Sequence, residues 1–279
     1  MFDFNSFQRW FTLIDKHTPF RFQLYVNAAG RRVIGFHIIF DPRAIYRAGV
    51  LEQITRAFAS RGIPIIHYAV SHDLEGSSHG VVFVDLTDSD IEAEDLLMVL
   101  KNMPYVLDVK LLNPIFNGFV YDQYFFPLMI GEERGIIFLQ REYEVFAKRI
   151  REELGSGFSA ILYLLGHDIG VNVFQKGHRR LVGWDAEKLV KVSEALFQHL
   201  GFGIMKTIKL DMDRREAIIR IYGCFECELY KRSKKPSSHL VRGMIAGWFS
   251  QFFKSEVSVI ESKCIAKGDP YCEFLVKSK

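Results

Sequence analysis

Arg242-Gly-Met-Ile-Ala-Gly-Trp248, followed by Glu261-Ser-Lys-Cys264-Ile-Ala-Lys-Gly268-Asp-Pro-Tyr-Cys272-Glu-Phe274, is the most informative segment of this 279-residue chain. Its first part belongs to a helix from Ser238 to Phe253. Ala246, Phe249 and Phe253 share one face of that helix, with Trp248 and Phe252 beside it. Its second part reads as a hairpin. Strands Val257 to Ile260 and Tyr271 to Val276 flank the turn Lys267-Gly-Asp-Pro270. This second part carries a carboxylate and two thiols at the spacing Glu-x2-Cys-x7-Cys.

Just upstream stand Cys224 and Cys227, so all four cysteines fall between 224 and 272. Four in a chain this long do not make a disulfide scaffold. Their clustering points to thiol chemistry or metal binding in a reducing compartment, here expected to be the cytoplasm. Residues three apart on a regular strand point to opposite faces, so Cys224 and Cys227 join one site only through a bulge. The same limit holds for Glu261 and Cys264. The plainer reading is a set of buried thiols, with Glu261 satisfied by backbone or basic partners. Arg242 has Glu226 and Glu261 as candidate partners.

Further upstream the pattern is helical. One helix runs from about Phe138 to Leu154 and stops at Gly155-Ser-Gly157. The next carries Phe158, Ile161, Leu162, Leu165, Ile169 and Val173 at spacings of three and four. Gly166 and Gly170 cost that helix propensity, which suggests close approach of another element. A third helix spans Asp185 to Leu200, followed by strands Ile204–Leu210 and Ala217–Tyr222. The chain holds 25 Phe, enough for an aromatic core or for an apolar cavity. Tyr163, Phe197, Phe202, Trp248, Phe249 and Phe252 are candidate cavity walls, or plain core. His167 is a candidate donor to a ligand, or a satisfied helix histidine. The basic run Lys231–Lys235 reads as a solvated loop or an acidic-partner contact.

The N-terminal half opens with a short amphipathic helix at 4–16 and strands Phe22–Val26 and Val33–Phe40. After Asp41-Pro42, the residues Val50, Leu51, Ile54, Ala57 and Phe58 recur at helical spacing and stop at Arg61-Gly62. Strands Ile63–Ser71 and Val81–Leu86, a helix capped at Asp88-Ser-Asp90, and a strand Val106–Leu112 complete a βαββαβ order. Asn113-Pro-Ile-Phe-Asn-Gly118 breaks the pattern. The expected architecture is α+β, with domains at 1–116 and 117–279.

The C-terminal signature resembles the 4-vinyl reductase family of hydrocarbon-binding domains over roughly residues 130–277. That family is similar to aromatic-responsive sensor domains and, more distantly, to TRAPP tethering subunits. The resemblance implies an apolar cavity between helices and an antiparallel sheet, a small hydrophobic ligand, and a structural zinc on Glu261, Cys264 and Cys272. Ser238 stands where the sensor relatives have a further Cys, so His239 or Cys227 would complete the four. Residues 33–113 resemble an ACT domain through Ala48-Gly-Val-Leu51, Ile54-Thr55 and Arg61-Gly-Ile-Pro-Ile65. This implies a ferredoxin-like regulatory module that pairs as a homodimer and binds an amino acid near Asp41, Gly49, Val50 and Leu51. Pro64 departs from the family's usual Asn.

Function classes narrow accordingly. Net charge is +3, with 11 Lys/Arg against 13 Asp/Glu in residues 1–116, too little to imply nucleic acid. No apolar run approaches the ~20 residues of a membrane span, and the N-terminus lacks a signal pattern. No nucleotide-binding Gly loop, His-x-x-x-His pair or nucleophile elbow is present. The expectation is a non-catalytic ligand sensor acting through a downstream protein partner. The alternatives are an assembly subunit and a metal-dependent or reductase enzyme.

Overall fold

The computed structural model describes residues 17–279 except 73–75, 77, 231, 232 and 234. The expected helix at 4–16 and most of the basic run 231–235 lie outside the described residues. The chain is mixed α+β, its sheets antiparallel throughout. It divides into two compact units, the described residues up to Ile136 and Ile137–Lys279.

In the first unit, strands β2 (Val33–Phe40), β3 (Ile65–His72), β4 (Ser78–Asp85) and β5 (Val106–Leu112) form one sheet in the order β3-β4-β2-β5. Helix α1 (Val50–Ala59) follows β2 and α2 (Ala93–Lys101) follows β4. The central strands β2 and β4 are buried almost throughout, because both faces of the sheet are covered. Phe36, Ile38, Val82 and Val84 meet Ile54, Phe58, Leu96 and Leu100 on the helical side. Val33, Val81, Phe83 and Leu112 meet Val26, Val120 and Phe125 on the other. That second layer comes from strands β1 (Tyr25–Asn27) and β6 (Phe119–Tyr121), paired Tyr25↔Tyr121 to Asn27↔Phe119. The sequence break at 113–118 therefore falls inside this unit, and a small hairpin, β7 (Met129–Ile130) with β8 (Glu133–Arg134), follows before Ile137.

The helix-free side also holds a buried polar chain. His37 Nδ1 lies 2.6 Å from Asp122 Oδ2, and His37 Nε2 lies 3.0 Å from His79 Nδ1. Asp122 Oδ1 accepts from the Tyr124 and Phe125 backbone N–H groups. Burial raises the Asp122 carboxyl, but hydrogen bonds from His37 and those two amides outweigh it and hold it below the usual range. A carboxylate this deep is tolerated because both of its oxygens have donors.

The second unit begins with α3 (Gln140–Leu154) and α4 (Ser156–Asn172). A π-helical turn Val173–His178, α5 (Arg179–Val182) and α6 (Ala186–His199) follow. Strands β9 (Ile204–Asp211) and β10 (Glu216–Tyr222), the one-turn helix α7 (Phe225–Glu228), α8 (His239–Phe253), β11 (Val257–Lys263) and β12 (Cys272–Ser278) complete it. Its sheet runs β11-β12-β10-β9.

Helices α4 and α8 touch backbone to backbone. A Cβ added at Gly166 or Gly170 would lie 2.1 Å from the Leu240 carbonyl oxygen or 2.2 Å from that of Met244. One added at Gly243 or Gly247 would lie 2.2 Å from the Tyr163 oxygen or 1.9 Å from that of His167. Small residues four apart on both helices thus form a reciprocal seam, of which only the α4 half stood out in the sequence. The same helix corrects the reading of apolar runs. The continuous stretch Gly157–Val182 has the length and composition to cross a membrane. Its glycines and scattered polar residues interrupt the run in sequence without interrupting the helix.

Candidate functional site: a thiol cluster and an apolar cavity

The expectation for Cys224 and Cys227 changes because neither lies on a strand. Cys224 precedes α7 and Cys227 sits within it, so residues three apart share one side of a helical turn. The bend required between Glu261 and Cys264 is present as a register shift between Glu261 and Lys263 against β12. As a result, one ligand atom from each of Cys227, Glu261, Cys264 and Cys272 lies within 4.8 Å of the others, and all four residues are buried. Three of them are the ligands the resemblance implied, and of the two candidates for the fourth it is Cys227, not His239, that joins them. Cys227 Sγ is 3.5 Å from Cys264 Sγ and 3.7 Å from Glu261 Oε1.

Zinc–thiolate bonds of about 2.3 Å in a tetrahedron put neighbouring sulfurs about 3.8 Å apart, so the donor set has the dimensions of a mononuclear metal site. Cys224, also fully buried, hydrogen-bonds Cys227 and Cys272 and is a further thiol of the same cluster. Hydrogen bonds from Cys227 and Cys272 hold the Cys264 thiol far below its ordinary value, while contacts with Cys224, Cys264 and Cys272 push Cys227 up. Burial pushes Glu261 up to about 8. So many acids cannot all ionise in a dry cluster unless a cation offsets them, and the group can hold a metal ion.

The other acid is committed to structure. Glu226, 0% exposed, accepts from the Leu240 and Val241 N–H groups at 3.0 Å and so caps α8, tying the thiol turn to the seam helix. Arg242 instead lies over the Tyr163 ring, 5.1 Å from its centroid. His239, half-buried at the start of α8, is not among the clustered ligands.

Between α4, the π turn, α6, α8 and the sheet lies an apolar cavity of about 60 Å³. Phe197, Phe202, Trp248 and Phe249 of the named wall residues line it. Phe252 does not; it stacks on Trp248, ring centroids 4.9 Å apart. Tyr163 and His167 also lie off the cavity. Their carbonyls abut Gly243 and Gly247, and the His167 side chain is 38% exposed, 3.6 Å from Asp168. The wall includes residues the sequence reading missed: His178, Ser193, Met205, Thr207, Ile219 and Met244. His178 could not be found by helical spacing, because the π turn inserts a residue and shifts the phase of the helix that carries it. It is 5% exposed, and its Nδ1 accepts from Trp248 Nε1 at 3.0 Å. Burial lowers its pKa to about 4.

In the first unit, Asp41 caps the 3₁₀ turn Pro42–Tyr46 and is paired with Arg43 at 2.7 Å, which holds its carboxyl down at about 2. Gly49 has φ +88° at the start of α1 with nothing within 4 Å of where a Cβ would stand. Val50 is buried and Leu51 is 48% exposed.

Comparison with known proteins places the C-terminal part. An uncharacterised protein of Methanocaldococcus jannaschii is 32% identical over 123 residues, covering 44% of this chain and 66% of that relative. A second from the same organism is 27% identical, over 40% of this chain and 80% of the relative. Among solved structures, the phenol-responsive sensory domain of the transcription activator PoxR aligns with TM-score 0.49 at 17% identity, over 54% of this chain and 79% of that one. A vinyl-4-reductase family protein from Methanocaldococcus jannaschii aligns with TM-score 0.38 at 20% identity, over 52% and 84%. The 4-vinyl reductase domain matches residues 217–278, the segment running from β10 through the thiol turn and α8 to the end of β12. The chain therefore carries a C-terminal 4-vinyl reductase domain.

Proposed function

We propose that the protein is a non-catalytic sensor whose C-terminal unit binds a small hydrophobic molecule and carries a structural zinc. The observation that carries this reading is an apolar space walled by aromatic rings, in the same C-terminal unit as the thiol cluster. Cys227, Glu261, Cys264 and Cys272 would hold the zinc, which would pin α7, β11 and β12 together. Nothing in that ligand set leaves a general base beside it, which favours a structural role. The four thiols are free and buried, which suits a reducing compartment such as the cytoplasm.

The first unit serves, in this proposal, as an ACT-type regulatory module of ferredoxin-like topology. Its βαββαβ order and the sheet order β3-β4-β2-β5 support that reading. An amino acid would bind near Gly49, Val50 and Leu51. Asp41 is spent on Arg43, so recognition there would fall to backbone groups. Pairing into a homodimer is supported by exposed apolar side chains on α4, with Leu164 63% exposed beside Ile161, Leu165 and Ile169. Signal output would pass to another protein.

Native mass spectrometry of the protein purified without chelator tests both parts. The expected masses exceed the chain by one zinc, and by a small hydrophobic molecule lost on mild activation. A metal-free, ligand-free species in every preparation would overturn the proposal.

A further inference from the structure

His178 is the one ring-nitrogen acceptor in the wall of the cavity, and its hydrogen bonding fixes its tautomer. Indole nitrogen only donates, so His178 Nδ1 must be the acceptor of the Trp248 bond. In the neutral ring the proton then sits on Nε2. Nε2–H is left as a donor with no acceptor among the described residues, and it is not one of the sealed, unpaired side-chain atoms, so a small molecule can reach it. The other polar side chains in the wall, the Trp248 indole aside, are hydroxyls. Ser193 spends its proton on the Val190 carbonyl, at 2.8 Å. Thr207 is the other. No charged side chain lines the space.

A ligand that supplies an acceptor to this donor gains one hydrogen bond in an apolar surrounding, which an apolar ligand of the same shape does not. An anion would enter without a cationic partner, which burial penalises heavily. Size narrows the class further. The space is about 60 Å³, whereas a cavity of ~150 Å³ is what accommodates benzene.

We infer that the cavity selects a neutral molecule of a few heavy atoms carrying one hydrogen-bond acceptor, of the small ketone or ether class, and that His178 Nε2–H is the group that selects it. This rests on the sensor reading and adds to it the chemistry of the effector. The indole orients the imidazole and the imidazole holds the acceptor, so the pair acts as a fixed donor in an otherwise largely apolar wall.

The test uses three probes of nearly equal size on the full chain: 2-butanone, its isostere 2-methyl-1-butene, and butyrate. Affinities are read by saturation-transfer NMR, on wild type and on His178→Phe. Wild type should bind the ketone about tenfold more tightly than the alkene, the contribution of one hydrogen bond to a buried donor, and should not bind butyrate. In His178→Phe the ketone should lose that advantage while the alkene keeps its affinity. Equal affinity of ketone and alkene in wild type, or preference for butyrate, would overturn the role of His178 and leave the apolar pocket standing. Failure of all three probes to bind would overturn the pocket as well. The wild-type comparison decides the matter even if the variant does not fold.

Discussion

The two units solve the same packing problem in opposite ways. The first covers both faces of a sheet with apolar side chains, and its buried charge, Asp122, is hydrogen-bonded by His37 and two amides. The second brings two helices into backbone contact along four glycines and leaves a hollow beside them. Side-chain packing can relax around a small change, whereas a backbone seam cannot. A unit built on a seam holds its helices at a fixed separation, and a space next to them stays open without being filled. That contrast is why the proposed hydrophobic ligand is placed in the second unit.

The sharpest way to break the comparison is at the seam. Gly247→Val places atoms against the His167 carbonyl, where a Cβ alone would stand at 1.9 Å. The expected loss is more than about 4 kcal/mol, among the largest single-residue effects, with the C-terminal unit unfolding in urea while the first unit retains its transition. A loss under about 1 kcal/mol would mean the helices do not rely on contact there.

A second measurement concerns the hollow itself. Folded His178 titrates at about 4 against an ordinary 6.5, so between those values the unfolded chain binds more protons than the folded one. Its contribution is fully present above about pH 6.5 and is lost as pH falls towards 4, up to about 3 kcal/mol in all. Denaturation midpoints measured from pH 7 to 4 should therefore fall more steeply in wild type than in His178→Phe. Parallel profiles would show that the imidazole is solvated and the cavity wet.

The smallest expected effect lies in the filled unit. Asp122→Ala leaves His37 Nδ1 and the Tyr124 and Phe125 amides without their acceptor, at a cost of about 2 kcal/mol. Thermal unfolding should show this as a lowered midpoint of the first unit with ligand binding in the second unchanged. A variant as stable as wild type would mean that water replaces the carboxylate, and that this unit is less tightly filled than the second.

The βαββαβ order and the position of α8 were legible because periodicity reports on local geometry, whereas the metal-type ligand set was implied by the family resemblance. Val50, Ile54, Ala57 and Phe58 had to lie on one helical face, and they are buried there. Glu261, Cys264 and Cys272 belong to one hairpin, whereas Cys227 stands 34 residues before Glu261 and joins them only in the fold. The half of the seam on α8 was in plain view as Gly243 and Gly247, yet nothing local distinguished a contact glycine from a tolerated one. His178 was hidden for a different reason, since a π turn changes the phase that helical spacing assumes.

The kinds and order of elements, and the nearness of Glu261 to Cys264, were fixed by neighbours along the chain. Only the tertiary structure decided which aromatic residues face a cavity and which face each other. It also decided that Cys224 and Cys227 share a side, and that one histidine keeps a free donor inside. Those outcomes depend on where separate segments meet in space, and a hydrogen bond between Trp248 and His178 spans a separation in sequence that no local pattern encodes.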